Sequence, residues 1–600
     1  MVKVRKRNGN LVPFDVHKIE NALQKAFLSC DYEVDESVIK DIASHVSVWD
    51  EISIEDIQDQ IEELLMDWDF PAVAKSYILY REKHSESRFI KERLDYMDKY
   101  SYSNNNAATS SETDANANVT MKNVANLEGE VYKTTNRIIQ RQRMKDKLNE
   151  MFPEVAKQYE KDLDSHIIYA HDESQTPVPK NYCMACTLYP LMLEGTGNID
   201  GVTPSAPNDL QSFSGQVTNL MFLLSSQVRG AVAMGDYIVA FNYYVVKEFG
   251  EDWYNKLNDT ISCTPSKEIR NVKSAICKAF KQFIYGINQP AGNRSYNSPF
   301  SNLNFFDKYY FESLFKDFYY PDGTKPEWKA IDTLQRIFVV LLRELRLKKP
   351  LTFPVTSFCC LHDNKDFLDK DYKDFIADEW SKGSSFFLYL SNNPDSISSC
   401  CRVQNELTDN TFNSTIGLTG IMTGSTNVIT LNLNRIIQDW WKSTGTTDKF
   451  NLEEHGQSLR DYLTSILERV YKYQIAYKTI IYNLEDAKMY SSSNAGYIFT
   501  KKLYCTIGAI GYCEAAQFLG YDINYNEPYI KFLQLIFGTI QEENKKHSIH
   551  DKKRPFVFNL EAIPKLSGDV KSLLIDSKLL LYKFLNKRTT RRKQLYKCAA

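Results

Sequence analysis

The stretch that most constrains this chain begins as an apolar, aromatic run, Ser385-Phe386-Phe387-Leu388-Tyr389-Leu390, which reads as a buried strand. Asn392-Asn393-Pro394-Asp395-Ser396 follows at once, a cluster that disfavours regular structure. That loop ends in Cys400-Cys401-Arg402-Val403. A loop between a core strand and the next apolar run, carrying two thiols and a cation, presents cysteine where chemistry can use it. The competing reading is two ordinary buried thiols after a turn, because free cysteine is among the most buried residue types.

A chain of 600 residues is too long for one ordinary core, so a small module plus one large domain is expected. Its 73 basic and 76 acidic residues nearly balance, which gives no case for a nucleic-acid coat or an acidic tail. Twelve cysteines in a long chain with no signal peptide point to free thiols in a reducing, cytoplasmic compartment. The best apolar window, Ile337–Leu342, falls far short of the roughly 18 residues a membrane span needs.

Asn8-Gly9 is a strong hairpin signal, since both turn positions favour positive φ. Val4 and Val12 flank it, and Lys6 and Arg7 stand beside the turn. Asp15 is placed to cap a helix bearing Lys18, Ile19, Leu23 and Phe27, and Ser53 with Asp56 opens another through Ile57, Ile61, Leu64 and Leu65. A third helix near Pro71–Lys83 holds Tyr80-Arg81. Three cations near the start suit phosphate binding, against the plainer reading of a solvated basic hairpin. The string Lys6-Arg7-Asn8-Gly9, Val12-Pro13-Phe14-Asp15, Lys18-Ile19 and Tyr80-Arg81 resembles the ATP-cone domain, the regulatory nucleotide-binding module of many ribonucleotide reductases. The resemblance implies that Lys6, Arg7 and Lys18 contact phosphates of ATP or dATP.

About residues 102–120 carry almost nothing to bury and read as a linker, followed by a helical segment near Ala125–Asp162 broken by Pro153. Cys183 and Cys186 then form a Cys-x-x-Cys. A zinc ribbon needs a second spaced pair, whereas the other thiol pairs, Cys359-Cys360 and Cys400-Cys401, are adjacent; no metal site is assigned. A thioredoxin-like redox pair lacks its small βαβ context. Cys186-Thr187-Leu188-Tyr189-Pro190-Leu191 is instead similar to a Cys-x-Leu-x-x-Leu pattern on an early barrel strand of anaerobic ribonucleotide reductases, and Cys183 falls outside that pattern.

Further stretches follow in an order that resembles the same family: Gln211–Gly235 as a long helix, Asn297–Leu303 as a strand entry at a substrate-lined barrel mouth, Leu351–Thr356 as the start of another strand, and Ile416–Gly420 with Gly424–Ile436 as strand-like runs. Thr506–Ala516 reads as a Gly-rich turn entering a helix, and Phe558–Pro564 closes the series. Taken singly, each is a common element of an α/β protein. Together they resemble the oxygen-sensitive, glycyl-radical ribonucleoside-triphosphate reductases over about residues 1–565. The implied fold is α/β: a ten-stranded α/β barrel preceded by a small, mostly helical ATP-cone domain. The corresponding division is 1–95 for the cone, 96–124 for a linker, 125–585 for the barrel and 586–600 for a basic tail.

The resemblance also implies a chemistry. A glycyl radical, installed by a radical-SAM activating enzyme, would generate a thiyl on the loop cysteine, and the family's Cys-Arg pattern selects Cys401-Arg402 over Cys400. That thiyl would abstract the ribose 3′-hydrogen, the 2′-hydroxyl would leave as water, and Cys186 would supply reducing hydrogen from the other face of the sugar. Formate or a thioredoxin-type protein would be the final reductant, and the family forms homodimers. No membrane or nucleic-acid partner is implied.

One departure stands out. The family ends in a four-cysteine zinc element and an Arg-Val-Cys-Gly-Tyr-like radical site, whereas the Gly-Tyr dipeptides here, at Gly496, Gly511 and Gly520, lack that context. The chain runs instead into Lys587-Arg588-Thr589-Thr590-Arg591-Arg592-Lys593, which reads as an interrupted coding region or as an electrostatic handle. The expectation is a reductase that needs its C-terminal radical segment in trans. The alternative is a catalytically inactive, nucleotide-binding remnant or regulatory protein. A formate-lyase type of glycyl-radical enzyme fits poorly, because those enzymes lack this N-terminal module.

Overall fold

The computed structural model describes residues 2–6, 10–33, 35–102, 122–196, 199, 204–263, 268–290, 297–349, 351–363, 366–392, 396–398, 404–406, 421–445, 449–524 and 526–562. The chain divides into two compact units, Met1–Asn105 and Asn106–Ala600.

In the first unit, β1 (Lys3–Arg5) lies between β2 (Leu11–Pro13), antiparallel, and β3 (Ile52–Ser53), parallel. Val4 faces Val12 on one side and Ile52 on the other, which turns one apolar face onto the helices. Those are α1 (His17–Leu28), α2 (Glu36–Ser44), α3 (Ile54–Asp67) and α4 (Pro71–Tyr102). Ile19, Leu23, Phe27, Ile42, Ile61 and Leu65 fill the centre. Ser53 and Asp56 close a reciprocal capping box on α3. Asp15 stands one residue too early to cap α1: its carboxylate accepts from His17 N at 3.2 Å, while Val16 is the cap. Helix α4 continues far beyond Lys83, since no Gly or Pro interrupts it after Pro71.

In the second unit, α5 (Val124–Met151) and α6 (Pro153–Asp164) break at Pro153. The following strands are β4 (Ile168–Ala170), β5 (Cys183–Cys186), β6 (Val232–Met234), a hairpin of β7 (Thr260–Cys263) and β8 (Glu268–Asn271), β9 (Ser301–Phe306), β10 (Val355–Leu361) and β11 (Phe387–Ser391). A short pair, β12 (Ser396–Ser398) and β13 (Gln404–Glu406), precedes β14 (Thr423–Asn432), β15 (Tyr504–Ile510) and β16 (Phe558–Ala562).

One large sheet runs in the order β11-β10-β9-β6-β5-β14-β15-β16, with β4 also paired to β14. Neighbours from β11 to β5 are parallel, as are those from β14 to β16; the two blocks meet antiparallel at β5 and β14. Among the described residues this makes nine strands where ten are expected.

Four local readings change. The helix expected over Gln211–Gly235 ends at Ser226, and Val232–Met234 within that stretch form β6. Strand β11 is half-buried rather than buried, with Phe387 exposed, because among the described residues it has a paired neighbour on one side only. A short strand, β12, forms after Pro394 despite the local composition. Gly508 lies inside β15 and not in a turn; only Gly511 precedes the helix Tyr512–Phe518.

Candidate active site

Side chains alternate across a strand, and residues level with one another in neighbouring strands share a face. On one face Met184, Cys186, Val232, Met234, Leu303 and Phe305 join a large apolar cluster with residues such as Phe213, Leu220, Phe241, Phe280 and Phe338 from the covering helices. On the same face of the other block, Ile429, Leu431, Cys505, Ile507 and Ala509 pack under the helix Leu452–Asp486.

The opposite face is small and polar. Thr423 stands level with Ala185, Ala185 with Ala233, and Ala233 with Asn302, a single row across four strands. One step along, Ser425 stands level with Cys183. Asn302 Oδ1 accepts from Ser357 Oγ at 3.2 Å, and the Ser425 and Thr506 hydroxyls are 2.6 Å apart. Asn302 Nδ2 and Thr423 Oγ1 are buried without a hydrogen-bond partner among the described residues, as are Ser298 Oγ and Asn297 Oδ1. Buried polar atoms are rarely left unpaired, so Asn302 and Thr423 leave a donor and a hydroxyl open on this face.

The seam between β5 and β14 is irregular. Gly424 has φ +151°, and a Cβ there would lie 2.2 Å from the carbonyl oxygen of Cys183. Between Ser425 and Asn427 the register against β15 shifts, a bulge that re-aims side chains. Asn427 Oδ1 accepts from the buried Arg229 guanidinium at 2.6 Å, and Arg229 also donates to the carbonyl of His171 at 3.1 Å. The His171 ring reaches Thr430 Oγ1 at 2.8 Å.

The register sets the two thiols apart. Cys186 is fully buried on the apolar face, and that burial, reinforced by nearby Asp236, pushes its thiol pKa far up. Cys183 points to the polar face, where its Sγ accepts from Ala231 N–H at 3.2 Å. The two leave one strand on opposite sides, so they can neither share a metal ion nor close a disulfide. Cys359 and Cys360 are fully buried in the same apolar cluster as Cys186. Cys400, Cys401 and Arg402 lie outside the described residues, between β12 and β13 in sequence. Among the described residues no group of three or more His, Cys, Asp or Glu side chains could hold a metal ion. No helix there is long and apolar enough to cross a membrane.

In the first unit Lys6 and Lys18 are exposed, Lys18 Nζ resting 3.8 Å from Asp15, while Arg7 lies outside the described residues. Arg81 is committed within the unit: it pairs with Glu55, with Asp59 at 2.6 Å and with Glu62 at 2.8 Å, all from α3. The Gly-Tyr glycines at 496, 511 and 520 all have positive φ, as turn glycines do.

A family model for anaerobic ribonucleoside-triphosphate reductase matches residues 123–596, which include the whole sheet. The chain belongs to that family. A second model, the ATP cone domain, matches residues 2–86 of this reductase-family chain. Similar solved structures include the anaerobic ribonucleotide reductase from Thermotoga maritima in complex with dATP and CTP. It is 26% identical with a TM-score of 0.59, over 73% of this chain and 69% of that one. The same enzyme with MES in the active site aligns over 80% of this chain and 76% of that one, at a TM-score of 0.60 and 23% identity. Among curated relatives, a vitamin B12-dependent ribonucleoside-diphosphate reductase of Thermoplasma acidophilum is 39% identical over 111 residues. One of Mycobacterium tuberculosis is 37% identical over 99 residues. Each match covers 16% of this chain and 14% of the relative.

Sequence reasoning put Asn302 in a strand entry at a substrate-lined mouth but did not join it to Cys183, Thr423 and Ser425 on one surface. The signal for Cys183 was present: Cys183 and Ala185 alternate with Met184 and Cys186, so only one cysteine can face away from the apolar core.

Proposed function

We propose that this chain reduces ribonucleoside triphosphates to 2′-deoxyribonucleotides by thiyl-radical chemistry. The observation that carries the reading is the thiol of Cys183 on a polar sheet face, beside buried, unpartnered groups at Asn302 and Thr423, in a chain of the anaerobic reductase family. Such a surface suits a ribose, whose hydroxyls would occupy the open donors and acceptors. Cys401 is the proposed radical carrier. Its thiyl takes hydrogen from C3′, the 2′-hydroxyl leaves as water with the proton of the 3′-hydroxyl, and the second thiol gives a hydrogen atom to C2′. The final reductant supplies the remaining electron and proton and restores that thiol, and Cys401 returns its hydrogen to C3′, which regenerates the thiyl. Cys183 takes that second role in place of Cys186, which is sealed among apolar side chains. A closed, dry site keeps the radical from side reactions.

The radical source in this reading is a glycyl radical on a Gly-Tyr segment supplied in trans and charged by a radical-SAM activating enzyme. Formate or a thioredoxin-type protein restores the reducing equivalents, two copies form a homodimer, and the reaction takes place in the cytoplasm. ATP and dATP act at the cone through Lys6, Arg7 and Lys18, and zinc belongs with the radical segment.

The test is an anaerobic assay of the full chain with the activating enzyme, S-adenosylmethionine, a family radical segment, a ribonucleoside triphosphate and formate or a dithiol protein. Deoxyribonucleotide formation is expected. A glycyl-radical signal without product would overturn the enzyme reading in favour of an inactive, nucleotide-binding protein.

A further inference from the structure

We propose that Gly230 and the backbone N–H of Ala231 are the positioning element for the Cys183 thiol, an assignment that rests on the role given to Cys183 above. The start of β6 is drawn unusually close to the start of β5. Arg229 N donates to the carbonyl of Asn181 at 2.9 Å, Gly230 N to that of Tyr182 at 2.6 Å, and Met184 N to that of Ala231 at 3.0 Å. Between these ties there is no room for a side chain at position 230. A Cβ on Gly230 would lie 2.6 Å from Cys183 Sγ and 2.8 Å from Tyr182 O. Real Cβ atoms do not approach this closely, so any other residue would drive the sulfur off its seat. The backbone of Gly230 stays outside the left-handed region, so space and not conformation requires the glycine.

The seat has a donor as well as a space. Ala231 N–H points at Cys183 Sγ from 3.2 Å, and Ala231 packs beside Cys183 together with Tyr182 and Phe300. Because the sulfur accepts this bond, the thiol hydrogen is not used in it. Returning a hydrogen atom to a sugar radical demands a fixed sulfur with its hydrogen unspent, since a misplacement of about 1 Å costs roughly a hundredfold in rate. Ser425, level with Cys183 across the seam, turns its hydroxyl to Thr506 and so leaves the sulfur to Ala231.

The experiment compares the full wild-type chain with Gly230→Ala, Cys183→Ala and the double variant. Thermal midpoints are measured for all four, and anaerobic turnover for wild type and Gly230→Ala. Gly230→Ala should lower kcat about a hundredfold with the nucleotide KM little changed, a split that a general loss of structure would not produce. Its loss of thermal stability should be smaller in the Cys183→Ala background, because the sulfur it strikes is gone. Should Gly230→Ala fail to fold, recovery of a folded double variant still supports the cradle. Equal destabilisation in both backgrounds would overturn it, since the glycine would then serve only the Tyr182 carbonyl; full activity of Gly230→Ala would overturn it too. Coupled stabilities in a wild-type chain that forms no deoxyribonucleotide would leave the cradle standing and remove the reductase reading.

Discussion

Cys183 and Cys186 stand on the same four-residue strand and leave it on opposite faces, one toward a row of small polar side chains and one into the helix-packed core. The same separation divides their consequences. Cys183→Ser should bring anaerobic turnover to background while the fold survives. Cys186→Ala should retain turnover and lose roughly 1–2 kcal/mol of stability through a small cavity. Parallel denaturant melts and turnover assays of the two variants decide it; loss of turnover in Cys186→Ala at full stability would reverse the assignment.

Nucleotide binding at the cone offers a second check. Lys6 and Lys18 are exposed cations at the start of the first unit. Losing one charge-assisted hydrogen bond to phosphate costs about 1.5–3 kcal/mol, or roughly 10- to 150-fold in Kd. Calorimetric titration of ATP and dATP into the full chain should show this for Lys6→Ala. Wild-type affinity in that variant would remove Lys6 from the site.

Arg81 is not available to phosphate while three carboxylates of α3 hold it. Its role in this conformation is to tie α4 to α3. Arg81→Met should therefore destabilise the chain by about 1 kcal/mol at low ionic strength, a modest figure because Asp59 and Glu55 are well solvated. The deficit should shrink as salt is raised. Urea melts at two salt concentrations test this; a deficit independent of salt would point to lost packing instead.

Gly424 is held by backbone on both counts, a φ of +151° and a would-be Cβ 2.8 Å from the Cα of Met184. No side chain can yield there, so Gly424→Ala should cost at least about 3 kcal/mol and open the seam between the two blocks. Hydrogen exchange at the amides that bridge β5 and β14 should rise in the variant. Unchanged protection would show that the seam tolerates a side chain.

Asp236 is fully buried, and burial pushes its pKa up to about 6 although Leu188 N and Thr187 Oγ1 donate to it. A raised carboxyl binds its proton more tightly in the folded state than in the unfolded one, so its contribution falls as pH rises from about 4 to about 6. The stability of wild type relative to Asp236→Asn should drop across that window by up to about 3 kcal/mol. Asp307, also pushed up to about 6, titrates equally in both proteins and cancels. A difference that holds steady with pH would mean the carboxyl is not strained by burial.

Local chemistry wrote much of this fold directly into the chain. Ser53 and Asp56 announce the start of a helix because their side chains satisfy backbone N–H groups within three residues. Pro153 breaks a helix by removing a donor, and β9, β10, β14 and β16 sit close to their apolar runs. The family was legible too, because its motifs are strings of neighbouring residues. What the sequence left undecided was every relation that depends on who lies beside whom. An apolar run reads the same whether its strand has one neighbour or two, so the sequence of β11 reads as buried while among the described residues the strand is paired on one side and half-buried. A Cys-x-x-Cys reads the same whichever thiol faces the core. Only the pairing of β5 with β14 and β6, which sets Cys183 level with Ser425 and beside the Ala231 amide, decides which sulfur is on the polar face, because register assigns faces and register is a tertiary property.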